Sequence, residues 1–320
     1  MLAPCVLKRT ESFAPGTYAS DNSSICVRVF LKRWARRKLG CLGLTMSADL
    51  IRIYPDPGER VALSGLYLHS GLRESASAGP VVYTNFISSV DGRIALTKAN
   101  GRHQVPKATA NSRDWRLFQE LAALADIVIT SGHHIRDIAQ GQSQAGLPVS
   151  IEPAYQDLLA FQRERGLSPQ PAIAIVSASL EFSPAALPAP TEREVLIVTG
   201  VQSSAERQRE LSAKGYRVIL VGEGERVDGA EMIAALAQLN YRMMYSIGGP
   251  QLCHTLVTGG QLHRLFLTSA HQLLGGTAFD TLIWGPAFAT PPSLELCTLY
   301  LDPTGLDGAG QSFAHYAVRS

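Results

Sequence analysis

The 320-residue sequence predicts an α/β chain with a mainly parallel sheet and antiparallel strands at its C-terminal edge. Three observations predict it. From residue 80 to about residue 260, β-branched runs of strand length alternate with segments of helical period. Beyond residue 264 the strand-like runs follow one another without helices between them. The composition, 46% hydrophobic and 18% charged, supplies core for one large domain or two small ones and excludes a disordered or low-complexity chain.

Residues 81–87 are a β-branched and aromatic run, the first strand of the main domain. Asn111 or Ser112 caps a helix that runs through Trp115, Leu117, Phe118, Leu121 and Leu124. Residues 126–130 form the next strand, closed by Ser131 and Gly132. A helix over 153–165 leads to strands over 172–176 and 194–199. Ser203 or Ser204 caps the following helix, and Gly215 ends it. A strand at 216–221, a helix at 229–239 and a strand at 242–247 follow. Gly248, Gly249 and Pro250 open a helix that reaches Val257. Strand text resumes at 264–267, 294–301 and 312–318. Before all this, residues 46–79 carry Pro55, Pro57, Gly58, Gly65, Gly71 and Gly79 around short apolar runs. They read as an extended arm packed on a main domain of residues 80–320.

The formal charge of +2 hides an asymmetry. Residues 1–45 are net +6 and the remainder is net −4, counted on Lys, Arg, Asp and Glu. The body therefore carries no nucleic-acid footprint. Residues 1–45 read as a poorly ordered basic leader. Its segment 25–39 alternates Phe30, Leu31 and Trp34 with basic residues, which fits a nucleic-acid-binding or membrane-surface helix or a transit peptide. The plainer alternative places the working start at Met46, just before the strand-like text of residues 50–54. No apolar run is long enough to span a membrane. Five cysteines without close pairs argue against a disulfide framework and for a reducing, cytoplasmic setting. His133 and His134 are adjacent but have no second ligand cluster, so no metal site is expected.

Three segments can carry chemistry. At the end of the first strand, Asn85, Ser89 and Asp91 offer an amide, a hydroxyl and a carboxylate where open parallel sheets bind ligands. A polar turn built on Asp91 and Gly92 is the plainer alternative. The turn Gly248, Gly249, Pro250, Gln251, Leu252 joins a strand to a helix. There a phosphate can approach glycine backbone and free helix N–H groups, although the same turn can simply be tight. Leu274, Gly275 and Gly276 form either a simple turn or the wall of a pocket.

These segments, taken with residues 125–132 in order and spacing, resemble the reductase domain of bifunctional riboflavin-biosynthesis deaminase–reductases, within the dihydrofolate-reductase-like superfamily. The resemblance covers residues 80–320. Its most specific piece is Ser89-Val90-Asp91-Gly92-Arg93-Ile94-Ala95. It implies a three-layer α/β/α fold, a homodimer, NADPH as cofactor and a pyrimidine-type small molecule as substrate. It implies hydride transfer to the ribosyl carbon of an opened imine. By position, the Ile87 backbone, Ser177 and the residues Gly248, Gly249, Pro250, Gln251 and Leu252 contact the cofactor. Thr130, Ser131, Gly132 and His134 form a loop beside it. Asp91 lies near the substrate and nicotinamide as the catalytic candidate, with Asn85, Ser89, Arg93, Leu274 and Gly275 on the substrate side.

The sequence departs from the family mainly on that side. A family Arg falls at Ala122, a family Thr at His134 and a family Glu at Ile247. The zinc deaminase motifs are missing upstream. Arg93, Arg102, Lys107 or Arg113 can replace the lost cation, or serve as plain surface charges. A non-catalytic nucleotide sensor on the same fold is the alternative reading.

Overall fold

The computed structural model describes residues 50–98, 101, 103–141, 149–189, 191 and 193–319. The basic leader, the start at Met46 and Arg102 lie outside the described residues.

The chain opens with β1 (Leu50–Tyr54) and β2 (Arg60–Val61). The repeating part runs β3 (Val81–Ser89), α1 (Ser112–Ala123), β6 (Ile127–Ser131), α2 (Gly132–Ala139), α3 (Gln156–Glu164), β7 (Ala172–Val176) and β8 (Val195–Thr199). It continues through α4 (Ala205–Ala213), β9 (Arg217–Leu220), α5 (Gly229–Gln238), β10 (Met243–Ser246), α6 (Pro250–Thr258) and β11 (Arg264–Ala270). The last long strands are β13 (Ser293–Asp302) and β14 (Gln311–Arg319). Eleven strands form one sheet in the order β2-β1-β13-β14-β11-β3-β10-β6-β7-β8-β9. From β11 to β9 all neighbours are parallel, while β14, β13, β1 and β2 add antiparallel on the other side. β4 (Ala95–Thr97), β5 (His103–Gln104) and β12 (Phe279–Asp280) make a separate small sheet.

Strand periodicity sorts the core onto the two faces. Tyr83, Val128, Tyr245 and Phe266 pack under Leu117 and Leu121 of α1 and Leu158 of α3. Farther along the same face, Ile173 and Ile175 meet Ile135 of α2 and Leu211 of α4. Val82, Ile129, Met244 and Leu196 face the opposite way, against Met232 and Leu236 of α5 and Leu252 and Leu256 of α6. The result is the three-layer α/β/α arrangement that the sequence predicts.

Residues 50–79 are woven into the core. Leu63, Tyr67, Leu68 and Leu72 are buried with Leu117 and Leu121. The fully buried Glu120 carboxylate accepts from the Gly65 amide (2.6 Å), the Tyr67 amide (2.9 Å) and Arg116 Nε (2.9 Å). A buried charge is tolerable only with such partners, so α1 and this segment hold each other in register.

One sequence expectation is corrected. Residues 130–134 are not a loop. Thr130 and Ser131 finish β6, and Gly132, His133 and His134 are the first turn of α2, with the Ser131 hydroxyl accepting from the His134 amide at 3.3 Å. Ser and Gly at a strand end read as a turn. Here the serine is a helix N-cap and the glycine is the first helical residue.

Candidate functional site

The site lies at the C-terminal edge of the parallel strands, and unequal strand lengths create it. β10 pairs with β3 only as far as Ser246, opposite Thr84. β3 continues to Ser89 with β11 as its partner, Ser89 opposite Ala270. Among the described residues, no strand borders β3 beyond Thr84 on the β10 side. Val81 donates to the Arg242 carbonyl on that side, and residues of the same parity, including Asn85 and Ile87, direct their backbone groups there. Ile87 thus presents an amide and a carbonyl to a gap.

The side chains agree. Of the nine residues of β3, only Asn85 and Ile87 are half-buried, and both point to the α1 face. Central strand residues are normally covered, so their exposure marks a recess. Its floor and walls are aromatic. Tyr83 and Tyr245 stack at 5.0 Å, Phe118 lies 5.6 Å from Tyr245, and Trp115 stacks on Phe118 at 4.9 Å. The Tyr245 hydroxyl donates to Asn85 Oδ1, which fixes the amide.

Asp91 is a clamp. Its carboxylate accepts from the Ser89 hydroxyl, from the Leu274 amide at 3.2 Å and from the Gly275 amide at 2.8 Å, and it pairs with Arg93 Nη1 at 2.9 Å. The Ser89 bond first, then the Gly275 amide, hold its pKa down at about 2. Gly275 and Gly276 have φ of +65° and +93°, conformations that favour glycine, and so bring these amides round to the carboxylate. Arg93 also donates to the Asp91 carbonyl at 2.6 Å and lies 4.3 Å from the Phe279 ring centroid. The five residues assigned to this corner from sequence (Ser89, Asp91, Arg93, Leu274 and Gly275) therefore form one unit.

The glycine turn is the second unit. α6 begins at Pro250 after Gly249, which supplies no side-chain cap. By contrast α1, α2, α4 and α5 are capped by Asn111, Ser131, Ser204 and Asp228. The first amides of α6, including those of Gln251 and Leu252, are left for an external acceptor. A Cβ on Gly249 would meet nothing within 4 Å, whereas one on Gly248 would lie 2.3 Å from Leu252 Cδ2. Next along the edge, Ser246 aligns with Ile129 of β6, and Ser131 of β6 with Val176 of β7. The first turn of α2 and Ser177 thus stand beside the α6 turn. A Cβ on Gly132 would lie 2.7 Å from Ser177 Oγ, so these two segments touch. Thr130 Oγ1 is buried without a hydrogen-bond partner. It lines a small cavity of about 30 Å³ with His134 and Ile247, room for about one water.

Residues 80–306 match the family described as the RibD C-terminal domain. The chain belongs to that family. It is similar in structure to a pyrimidine reductase-like protein from Corynebacterium diphtheriae, at 18% identity and a TM-score of 0.59, over 81% of this chain and 100% of that one. It is also similar to RibD from Acinetobacter baumannii, at 17% identity and a TM-score of 0.51, over 75% of this chain and 58% of that one. At these identities the likeness shows the fold. No curated protein matches the sequence.

Within this RibD C-terminal domain, two of the candidate replacement cations are committed elsewhere. Arg93 is bound to Asp91. Arg113 Nε lies 2.5 Å from the fully buried Asp302 carboxylate. Lys107 is exposed. Ala122, where the resemblance implies an Arg, is wholly buried in the α1 core.

Three residues of the recess escape a sequence reading. Asp114 sits in the first turn of α1, half-buried, with a hydrogen bond from the Thr268 side chain of β11. Thr268 pairs in register with Ile87. Burial raises the Asp114 pKa to about 6 against the opposing pull of Thr268. In sequence, an acidic residue at this position reads as a favourable partner for the helix dipole. Tyr245 reads as core. Only the strand register reveals that they share a recess with Asn85.

Proposed function

We propose that the chain is an NADPH-dependent reductase of the riboflavin-pathway type, acting on the ribosyl imine carbon of a pyrimidine or a closely related small molecule. One observation carries this reading. The Asp91 corner, the free Ile87 backbone and the uncapped α6 turn converge on one sheet edge, in a chain of the RibD C-terminal family.

The residues fit a dinucleotide. The α6 amides and Gly249, where no side chain intrudes, suit its phosphates. The α2 turn and Ser177 suit the rest of the nucleotide. Ile87 offers its backbone to the amide of the nicotinamide, and the aromatic recess beside it takes the flat substrate. When bound, the reduced nicotinamide supplies the hydride. The chain's own work is to hold the two partners in register and keep water out of the recess. Asp91 is ionised at neutral pH and acts by fixing the 274–275 turn at the mouth. The family reading also implies a homodimer.

The test is NADPH oxidation by the purified chain with aminouracil ribosyl phosphates, their dephosphorylated forms and dihydropterins. Turnover with an aminouracil ribosyl compound is the expected result. NADPH binding without consumption by any of them would favour the nucleotide-sensor alternative.

A further inference from the structure

Reduction of an imine or a carbonyl consumes a hydride and a proton, and the cleft must supply the second. Among the described residues, the candidate carboxylates are Asp91 at the end of β3 and Asp114 against Thr268, the neighbour of Ile87. Asp91 has its oxygens occupied by the Ser89 hydroxyl, two backbone amides and Arg93, all of which favour the charged form. A carboxylate so held is a poor proton source. Asp114 is its opposite. It lies over β11 and β3, where Thr268 and Ile87 pair. Its carboxyl takes a hydrogen bond from the Thr268 side chain. The half-buried Asn85 and Ile87 lie on the sheet face that it overlooks.

We propose that Asp114 is the proton donor of the reduction and that Asp91 is a positioning residue, an inference that rests on the reductase reading above. In the step, the acceptor carbon gains the hydride from the reduced nicotinamide. The π pair of the C=N bond passes to nitrogen, and that nitrogen takes the proton from the Asp114 carboxyl. Asp114 is left as a carboxylate and is reprotonated from solvent, and the nicotinamide leaves oxidised. Two carboxylates with divergent environments, one held charged and one that holds its proton more readily, are the arrangement by which a single site separates orientation from acid catalysis.

The surroundings leave the assignment to Asp114. From the 50–79 segment and β10, the phenols of Tyr67 and Tyr245 face it, and burial holds both well above the ordinary phenol range. From β14, His315 stacks on Phe266 at 4.3 Å, and burial lowers its pKa to about 4. On α1 itself, Arg113 is paired with Asp302 of β13. Burial of the Asp114 carboxyl brings its pKa to about 6, where an acid is both protonated enough and strong enough to work near neutrality.

The test uses the full chain as wild type, Asp114→Asn and Thr268→Val, with three readouts. These are NADPH binding by fluorescence, NADPH oxidation with an aminouracil ribosyl phosphate across pH, and the Asp114 carboxyl titration by ¹³C NMR. The wild-type carboxyl is expected to titrate near pH 6, with turnover falling as pH rises through the same midpoint. Asp114→Asn is expected to bind NADPH within about twofold of wild type and to lose roughly 100-fold or more in turnover. Thr268→Val removes a bond that favours the charged form, so it should move the carboxyl midpoint and the falling limb of turnover to higher pH together. A wild-type midpoint below about 4.5, or an Asp114→Asn variant that keeps a third of wild-type turnover, would overturn the proposal alone. A wild type that binds no NADPH, or reduces none of the imine or carbonyl substrates, would overturn the reductase reading and this inference with it.

Discussion

The two ends of the cleft are built on different principles. At the end we assign to the nucleotide, backbone forms the surface. Gly248 and Gly249 end β10 and open α6, Gly132 lies against Ser177, and few side chains intrude. At the end we assign to the substrate, side chains do. Asp91, Ser89 and Arg93 lock one corner, and Asp114, Thr268, Asn85 and Tyr245 line the recess. A backbone cradle accepts any ligand with phosphates in the right place. A side-chain corner can be altered residue by residue. On the proposed assignment, the motifs at the backbone end match the resemblance while several side-chain positions at the other end depart from it.

The largest expected effect comes from breaking the nucleotide end. Gly249→Asp fits without a clash, because a Cβ there meets no atom within 4 Å. Its carboxylate would cap α6 and stand where phosphates bind. NADPH affinity should fall at least about 100-fold, measured by fluorescence titration, with thermal stability unchanged or raised. Its neighbour sharpens the contrast. Gly248→Ala would press its Cβ onto Leu252, so it should cost about 1–3 kcal/mol of stability in denaturant melts, with NADPH binding weakened as the α6 turn shifts.

Breaking the substrate end should have the reverse signature. Asp91→Asn keeps the shape but weakens the bonds to Leu274, Gly275 and Arg93. Turnover should fall by about tenfold or more while NADPH affinity changes less than about threefold, from steady-state kinetics and titration of the same samples.

The smallest effect is on stability against pH. The Asp114 pKa is raised in the fold, so its contribution is fully present below about pH 4 and is lost as pH rises through about 6. Asp114→Asn removes that loss. Its melting temperature relative to wild type should therefore rise by a few degrees between pH 4 and pH 8. Asp91 has the opposite sign, contributing above its ordinary carboxylate range and losing that contribution only as pH falls through about 2.

How much of this was legible follows the same division. The parallel sheet was readable because its strands are short apolar runs, most of them β-branched, that alternate with segments of helical period. The α6 turn was readable as a strand–helix junction, because paired glycines followed by proline end one element and open the next. Residues 130–134 misled because Ser131 caps a helix where composition suggested a turn. Asp114 was invisible for a physical reason. Its meaning depends on Thr268, which is 154 positions away in sequence and adjacent only through the β3–β11 register. Periodicity predicts which face a residue occupies and not which strand ends early beside it. The recess exists because β10 stops at Ser246, a boundary too fine for sequence patterning.

The most direct test of the central claim is amide hydrogen exchange with and without NADPH. The account predicts slowed exchange at residues 248–252, at 131–134 and around Ser177 and Ile87, with residues 50–54 and 293–300 unchanged. Protection confined to other surfaces, or none at saturating NADPH, would contradict it.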